Sequence, residues 1–154
     1  MIKSLQLENP TETVGISAER GSMFRLSKKS DYGLIALKHL AQHTDESISA
    51  REIAAQYHIP AELLAKVLQR LARKGLLISQ HGINGGYVLA KDPATISIVD
   101  VVEALEGPIS ITPCERGDDC QQLQMCSVRD PLLKIKAKVV RVLGDTSIYE
   151  LATN

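Results

Sequence analysis

Cys114, Cys120 and Cys126 are the only cysteines of the chain, and five residues separate each neighbouring pair. Thiols gathered this closely bind a metal or do redox chemistry. An odd number cannot be fully paired within one chain, and nothing before Met23 has the basic start and apolar run of a secretory signal, so a disulfide framework is not expected. Reduced thiols point to a soluble cytoplasmic protein. Thiolates are the usual iron–sulfur ligands, and three on one flexible loop can wrap one face of a cluster. Structural zinc more often takes ligands two to four residues apart, which these gaps fit less well. Bare redox thiols are a third reading. Gly117, Asp118 and Asp119 favour a loop over a helix, and Pro113 and Pro131 bracket it. There is no Cys-x-x-Cys pair, no glycine-rich nucleotide loop and no histidine beside the cysteines, so an enzyme is not expected.

The elements that must carry this loop can be read from periodicity. The chain has 154 residues, an ordinary domain size, and one Phe, four Tyr and no Trp, so its core must be aliphatic. No apolar run approaches the ~20 residues that cross a bilayer, so no membrane association is expected. The net charge of zero hides an asymmetry. Residues 23–91 hold ten Lys/Arg against five Asp/Glu, residues 92–154 six against ten, and the first 22 two against three. A basic part joined to an acidic part suggests nucleic-acid binding joined to regulation or assembly. Residues 1–22 show no sustained period and read as a mobile tail, or as the product of a start codon upstream of Met23.

Leu34, Leu37, Leu40 and Ala41 predict a first helix over about 28–43. Ser49 and Glu52 form a capping box that opens a second, about 50–57. A third runs from Pro60 to about Lys74, with Leu63, Leu64, Val67, Leu68 and Leu71 inward and Glu62, Lys66, Gln69, Arg70 and Arg73 outward. Two helices across a tight turn, the second with a cationic face, make a helix-turn-helix. Gly75 closes it. Residues 76–80 and 87–90 then flank a Gly/Asn turn as a hairpin, a wing beside the recognition helix. A helix from Ile98 to Gly107 and a long helix with Leu132, Leu133, Ile135, Val139, Val140, Val142 and Leu143 on one face complete the chain. The long helix has more aliphatic surface than one small domain can cover, so it is expected to pair with its copy.

Arg25 to Tyr32, Ala54-Ala55, Arg73 to Leu77, Gly82 to Tyr87 and the cysteine spacing together resemble the IscR/NsrR-type, or Rrf-type, winged-helix transcription regulators. The similarity covers about residues 23–143. It implies a mainly α fold with a small β-hairpin: a winged helix-turn-helix DNA-binding domain over 23–91, then a helix, a cluster-binding loop at about 108–130 and a dimerisation helix within 92–154. It further implies a homodimer on double-stranded promoter DNA, with no small-molecule substrate, whose affinity follows the state of an iron–sulfur cluster on Cys114, Cys120 and Cys126. A 2Fe–2S cluster is the expected form and 4Fe–4S the alternative. Control of iron–sulfur assembly or stress genes is the implied role. A metal-independent or zinc-stabilised repressor with redox-sensitive thiols is the rival reading.

One departure from the family pattern concerns the fourth ligand. IscR-like members place a histidine three residues beyond the last cysteine, where this chain has Arg129, which cannot ligate iron. NsrR-like members resemble a design in which a carboxylate at the start of the first helix reaches across the dimer, and Asp31 holds that position. As a first-turn acid, Asp31 also suits the helix dipole. Glu115, Asp118 and Asp119 are local substitutes.

For DNA, Ser27, Lys28, Lys29 and Arg51 sit at helix starts and are expected to grip phosphate. Ala61, Glu62, Ala65, Lys66 and Gln69 are expected to face base edges in the major groove, with Arg70 a phosphate contact or a plain surface charge. His81, Asn84, Gly85 and Gly86 of the wing are expected at the minor groove, although the glycines can also serve only the turn. His39 and His43, spaced i, i+4, can share a helix face toward a metal, but are expected to be partly exposed polar residues. His58 is placed in the turn between the second and third helices.

Overall fold

The computed structural model describes residues 25–117 and 120–154. The tail expected over 1–22 lies outside the described residues, as do Asp118 and Asp119. Six α-helices are described: α1 (Lys28–Gln42), α2 (Ala50–Tyr57), α3 (Ala61–Arg73), α4 (Ile98–Glu106), α5 (Arg129–Asp145) and α6 (Ile148–Thr153). One antiparallel hairpin, β1 (Leu77–Gln80) and β2 (Gly86–Leu89), follows α3. The expected mainly α winged helix-turn-helix is therefore the fold.

Local chemistry sets most of these boundaries. Ser49 and Glu52 exchange hydrogen bonds as a capping box, at 2.8 and 3.2 Å, and so satisfy two amides that a helix start leaves free. The hydrogen bond from Ser49 lowers the Glu52 carboxyl below its ordinary value. Ser97 with Asp100 opens α4 in the same way, and Ser147 with Glu150 opens α6. The turn between α2 and α3 is made by His58, which adopts left-handed φ of 53° while Ile59 N–H reaches back to the Ala54 carbonyl at 2.9 Å. Pro60, the expected start of α3, is instead its N-cap, and the helix begins one residue later at Ala61.

The core lies around α1. Leu37 and Leu40 of α1, Ile53 of α2, Leu64, Leu68 and Leu71 of α3, Leu105 and Val101 of α4 and Ile148 of α6 are all sealed from water. Burial of such aliphatic side chains contributes about 1.5–3 kcal/mol each. Helices α1 and α4 approach so closely that a Cβ on Gly33 would lie 2.6 Å from Leu105 Cδ1. The hairpin register pairs Leu77 with Leu89 and Gln80 with Gly86, and Tyr87 bonds in both directions to Ile48 in the loop before α2.

Three findings go beyond the sequence expectations. The first is α6: Ile148 N–H bonds the Ile96 carbonyl at 2.8 Å and Ile98 N–H the Thr146 carbonyl at 3.0 Å, so the chain returns from α5 to close over α1. The second is a correction. His39 is buried at 5% exposure rather than partly exposed, its Nδ1 lies 3.1 Å from the Tyr57 hydroxyl, and its ring packs 4.4 Å from that of His43. The third is that α5, the helix expected to pair with its copy, has no buried residue. Its Ile135 and Val142 are 48% and 66% exposed.

Ile148→Ala should leave a cavity under α1 and reduce stability by about 2–5 kcal/mol, read as a lower urea midpoint. Burial, then the neighbouring His43, lowers the His39 pKa from 6.5, against an opposing pull from Glu46. The unfolded chain therefore takes up a proton below 6.5 that the folded chain does not. Stability should fall as pH drops through that value, level off below the folded pKa, and lose this slope in His39→Gln. Urea midpoints at about pH 7.5 and about pH 5.5 measure the difference.

Candidate nucleic-acid interface and cysteine loop

Helix α3 holds its place through Leu64, Val67, Leu68 and Leu71, which leaves Ala61, Glu62, Lys66, Gln69, Arg70 and Arg73 exposed and Ala65 half-buried. Glu62, Lys66 and Gln69 stand i, i+4, i+7 and so form one stripe. Arg70 is drawn aside from it: its Nε donates to the Ala104 carbonyl in the last turn of α4, at 2.9 Å. That bond gives Arg70 a packing role beside the expected phosphate contact.

At the start of α1, Ser27 Oγ accepts from Ser30 N–H at 3.2 Å and donates to the Glu106 carboxylate at the end of α4. Lys28 and Lys29 are exposed beside it, and Arg51 is exposed at the start of α2. Asp31 is half-buried in the first turn of α1.

The wing glycines are accounted for by space. A Cβ on Gly85 would lie 2.7 Å from the Gln80 carbonyl oxygen, and one on Gly86 2.5 Å from the carbonyl carbon and oxygen of Ile48. Gly86 thus lets β2 lie against the loop before α2. His81 and Asn84 are exposed. So is Ile83 between them, a large apolar residue that the sequence reading passed over, since nothing in periodicity marks a loop tip.

The cysteine segment leaves α4 at Gly107, whose φ of 87° turns the chain away, and contains a 3-10 turn at Pro113–Arg116. All three cysteines are free and half-buried, and Cys114 Sγ lies 3.3 Å from Thr112 Oγ1. Glu115, one of the local substitutes for a fourth ligand, is otherwise engaged. One oxygen accepts from Ile111 N–H, Thr112 N–H and the Thr112 hydroxyl at 3.0–3.2 Å, and the other meets Lys136 Nζ of α5. Lys136, helped by the amides of Ile111 and Thr112, holds the Glu115 carboxyl down to about 2. The donor set of three free thiols on one segment suits an iron–sulfur cluster. Among the described residues, no three His, Cys, Asp or Glu side chains converge into a ready metal cage. Also among them, no helix is long and apolar enough to cross a membrane.

Residues 26–154 match the Rrf2 family, described as an iron-dependent transcriptional regulator. An HTH-type transcriptional regulator of Aquifex aeolicus is 43% identical over 123 residues, covering 78% of this chain and 85% of that protein. The HTH-type transcriptional regulator IscR of Xenorhabdus nematophila is 28% identical over 131 residues, 84% of this chain and 80% of its own. Among solved structures, CymR, the global cysteine regulator of B. subtilis, superposes with a TM-score of 0.68 at 28% identity over 84% of this chain and 97% of its own. IscR of T. potens superposes with the same score at 26% identity, over 84% and 87%. These relatives are transcriptional regulators and not enzymes.

Gly86→Ala should force Ile48 and Tyr87 apart and cost about 1–3 kcal/mol in stability, measured by urea unfolding. A variant that is as stable as the unchanged protein but no longer binds DNA would instead put Gly86 in contact with DNA.

Proposed function

We propose, from the premise that this chain belongs to the Rrf2 family of transcriptional regulators and is IscR-like, that it is a homodimeric promoter-binding protein whose DNA affinity follows an iron–sulfur cluster on Cys114, Cys120 and Cys126. The single observation that carries this is the place of the cysteine segment. It joins α4, whose last turn bonds both Ser27 and Arg70, to α5, whose apolar side stands open. A change in how the loop folds around its thiols is thereby delivered to two DNA-facing elements and to the dimer helix at once. The family description as iron-dependent supports the same reading.

In this reading residues 23–91 bind DNA, and residues 92–154 carry the sensor and the dimer contact. Pairing of α5 with its copy covers Ile135 and Val142 and sets two α3 helices about one DNA turn apart, ~34 Å, on a near-palindromic site. Lys28, Lys29 and Arg51 hold phosphates and supply affinity. Glu62, Lys66 and Gln69, flanked by Ala61 and Ala65, read base edges, and His81 and Asn84 lie along the minor groove. Asp31 from the partner copy supplies the fourth ligand, since Glu115 is taken by Lys136. The bound cluster, 2Fe–2S in preference to 4Fe–4S, supplies a centre responsive to redox poise, nitric oxide or cluster supply. Coupling requires two dimer states of unequal DNA affinity, each favoured by one state of the loop.

The test is iron, acid-labile sulfide and zinc content with a visible spectrum, on protein purified without oxygen, beside the variant with all three cysteines changed to Ser. Equal iron and sulfide with a broad visible band, lost in the variant along with any effect of cluster state on promoter binding, is the expected result. Zinc alone, or no metal after attempted cluster loading, would replace it with a zinc-stabilised or thiol-based repressor.

A further inference from the structure

The wing differs from the other DNA-facing elements in having no lysine or arginine: residues 75–90 contain His81 as their only basic side chain. Phosphate attraction, which supplies most sequence-independent affinity, therefore comes from elsewhere. What the wing offers at its tip is an aliphatic side chain. Ile83 is 104% exposed, the most exposed large hydrophobic residue of those described, so its own loop covers none of it.

The support under this side chain is rigid. Gly85 N–H bonds the Gly82 carbonyl at 3.0 Å and closes the turn, in which Gly82 has φ of 114°. The space at Gly85 and Gly86 is filled by the backbones of Gln80, Gly82 and Ile48, and Tyr87 ties β2 to Ile48 through bonds of 2.9 and 3.2 Å. An apolar group at a fixed tip, flanked by His81 and Asn84, has the form of a wedge: an aliphatic side chain that enters the minor groove and partly unstacks one base step. Asn84 beside it can donate to the acceptors that A·T pairs present there.

We propose that Ile83 is a minor-groove wedge that selects a flexible pyrimidine–purine step in A·T-rich sequence and bends the duplex by roughly 20–90°. This rests on the DNA-binding reading above and adds to it a specificity residue that works through DNA deformation and not through base hydrogen bonds. Its exposure in the free protein means that truncation leaves the core untouched.

The probes are the duplexes that the unchanged protein retains from a random-sequence library, labelled with a donor and an acceptor dye at their two ends. Affinity, end-to-end energy transfer and salt dependence are compared for the unchanged protein, Ile83→Ala and Ile83→Met. The expected result is an Ile83→Ala that binds about tenfold more weakly, straightens the duplex and relaxes preference at one step, while its salt slope is unchanged because no charge was removed. Ile83→Met, also a competent wedge, should keep the bend. Equal affinity and bend in Ile83→Ala, a loss of affinity with the bend intact, or equal losses in Ala and Met would each overturn the wedge alone. An unchanged protein that retains no sequence from the library would overturn the DNA-binding reading and the wedge with it.

Discussion

The last turn of α4 is the joint on which the other parts depend. A helix end leaves its final carbonyls without partners inside the helix. Here Glu103 O is taken by Gly107 N–H, and Ala104 O is taken by the Arg70 guanidinium of α3. The cation also suits the negative end of the α4 dipole. Two residues further, the Glu106 carboxylate receives the Ser27 hydroxyl that caps α1. Thus α1, through Ser27 on Glu106, and α3, through Arg70 on Ala104, are both tied to the last three residues of one short helix. Gly107 follows at once and turns the chain toward the cysteines.

Such a joint transmits only if its two sides are stiff. On the DNA side, α1 and α4 lie in contact at Gly33, and the aliphatic core locks α3 behind its exposed stripe. On the other side the connection is narrower. Glu115 ties the cysteine segment to α5 through Lys136, and that same carboxylate caps the 3-10 turn that holds Cys114. The loop is therefore attached at both ends to structure, while its thiols, half-buried and free, are held by few bonds. A segment anchored in this way can change its own fold without dissolving its surroundings.

How much of this was legible in the sequence depended on the range of the interaction. Helices α1 to α3, the Ser49–Glu52 box and the hairpin are written in patterns that span a few residues, and the structure follows them to within one or two positions. Helix α6 has six residues, too few for a period, and exists because Ile148 docks under α1. The partner of Arg70 is 34 residues away, so its cationic side chain read as a phosphate contact or a surface charge and not as a packing residue. His39 reads as a polar surface residue until α2 brings the Tyr57 hydroxyl to it. The wing glycines signalled a turn correctly, but not that Gly86 must admit the backbone of Ile48. The cysteines point to metal or redox chemistry by type and spacing, but no spacing records that Glu115 beside them is already engaged by Lys136.

The return of the chain to α1 has a consequence for how the protein is made. The groove that Ile148 fills is built from segments synthesised early, whereas Ile148 itself leaves the ribosome only after the cysteine loop and α5. Domains begin to fold as they emerge, N-terminal parts first. Here the core under α1 stays open at the Ile148 groove until the cysteine loop and α5 have been made. A nascent chain thus completes the core beneath α1 only once the cysteine segment has been made, so the order of synthesis couples the two halves of the chain before either is finished.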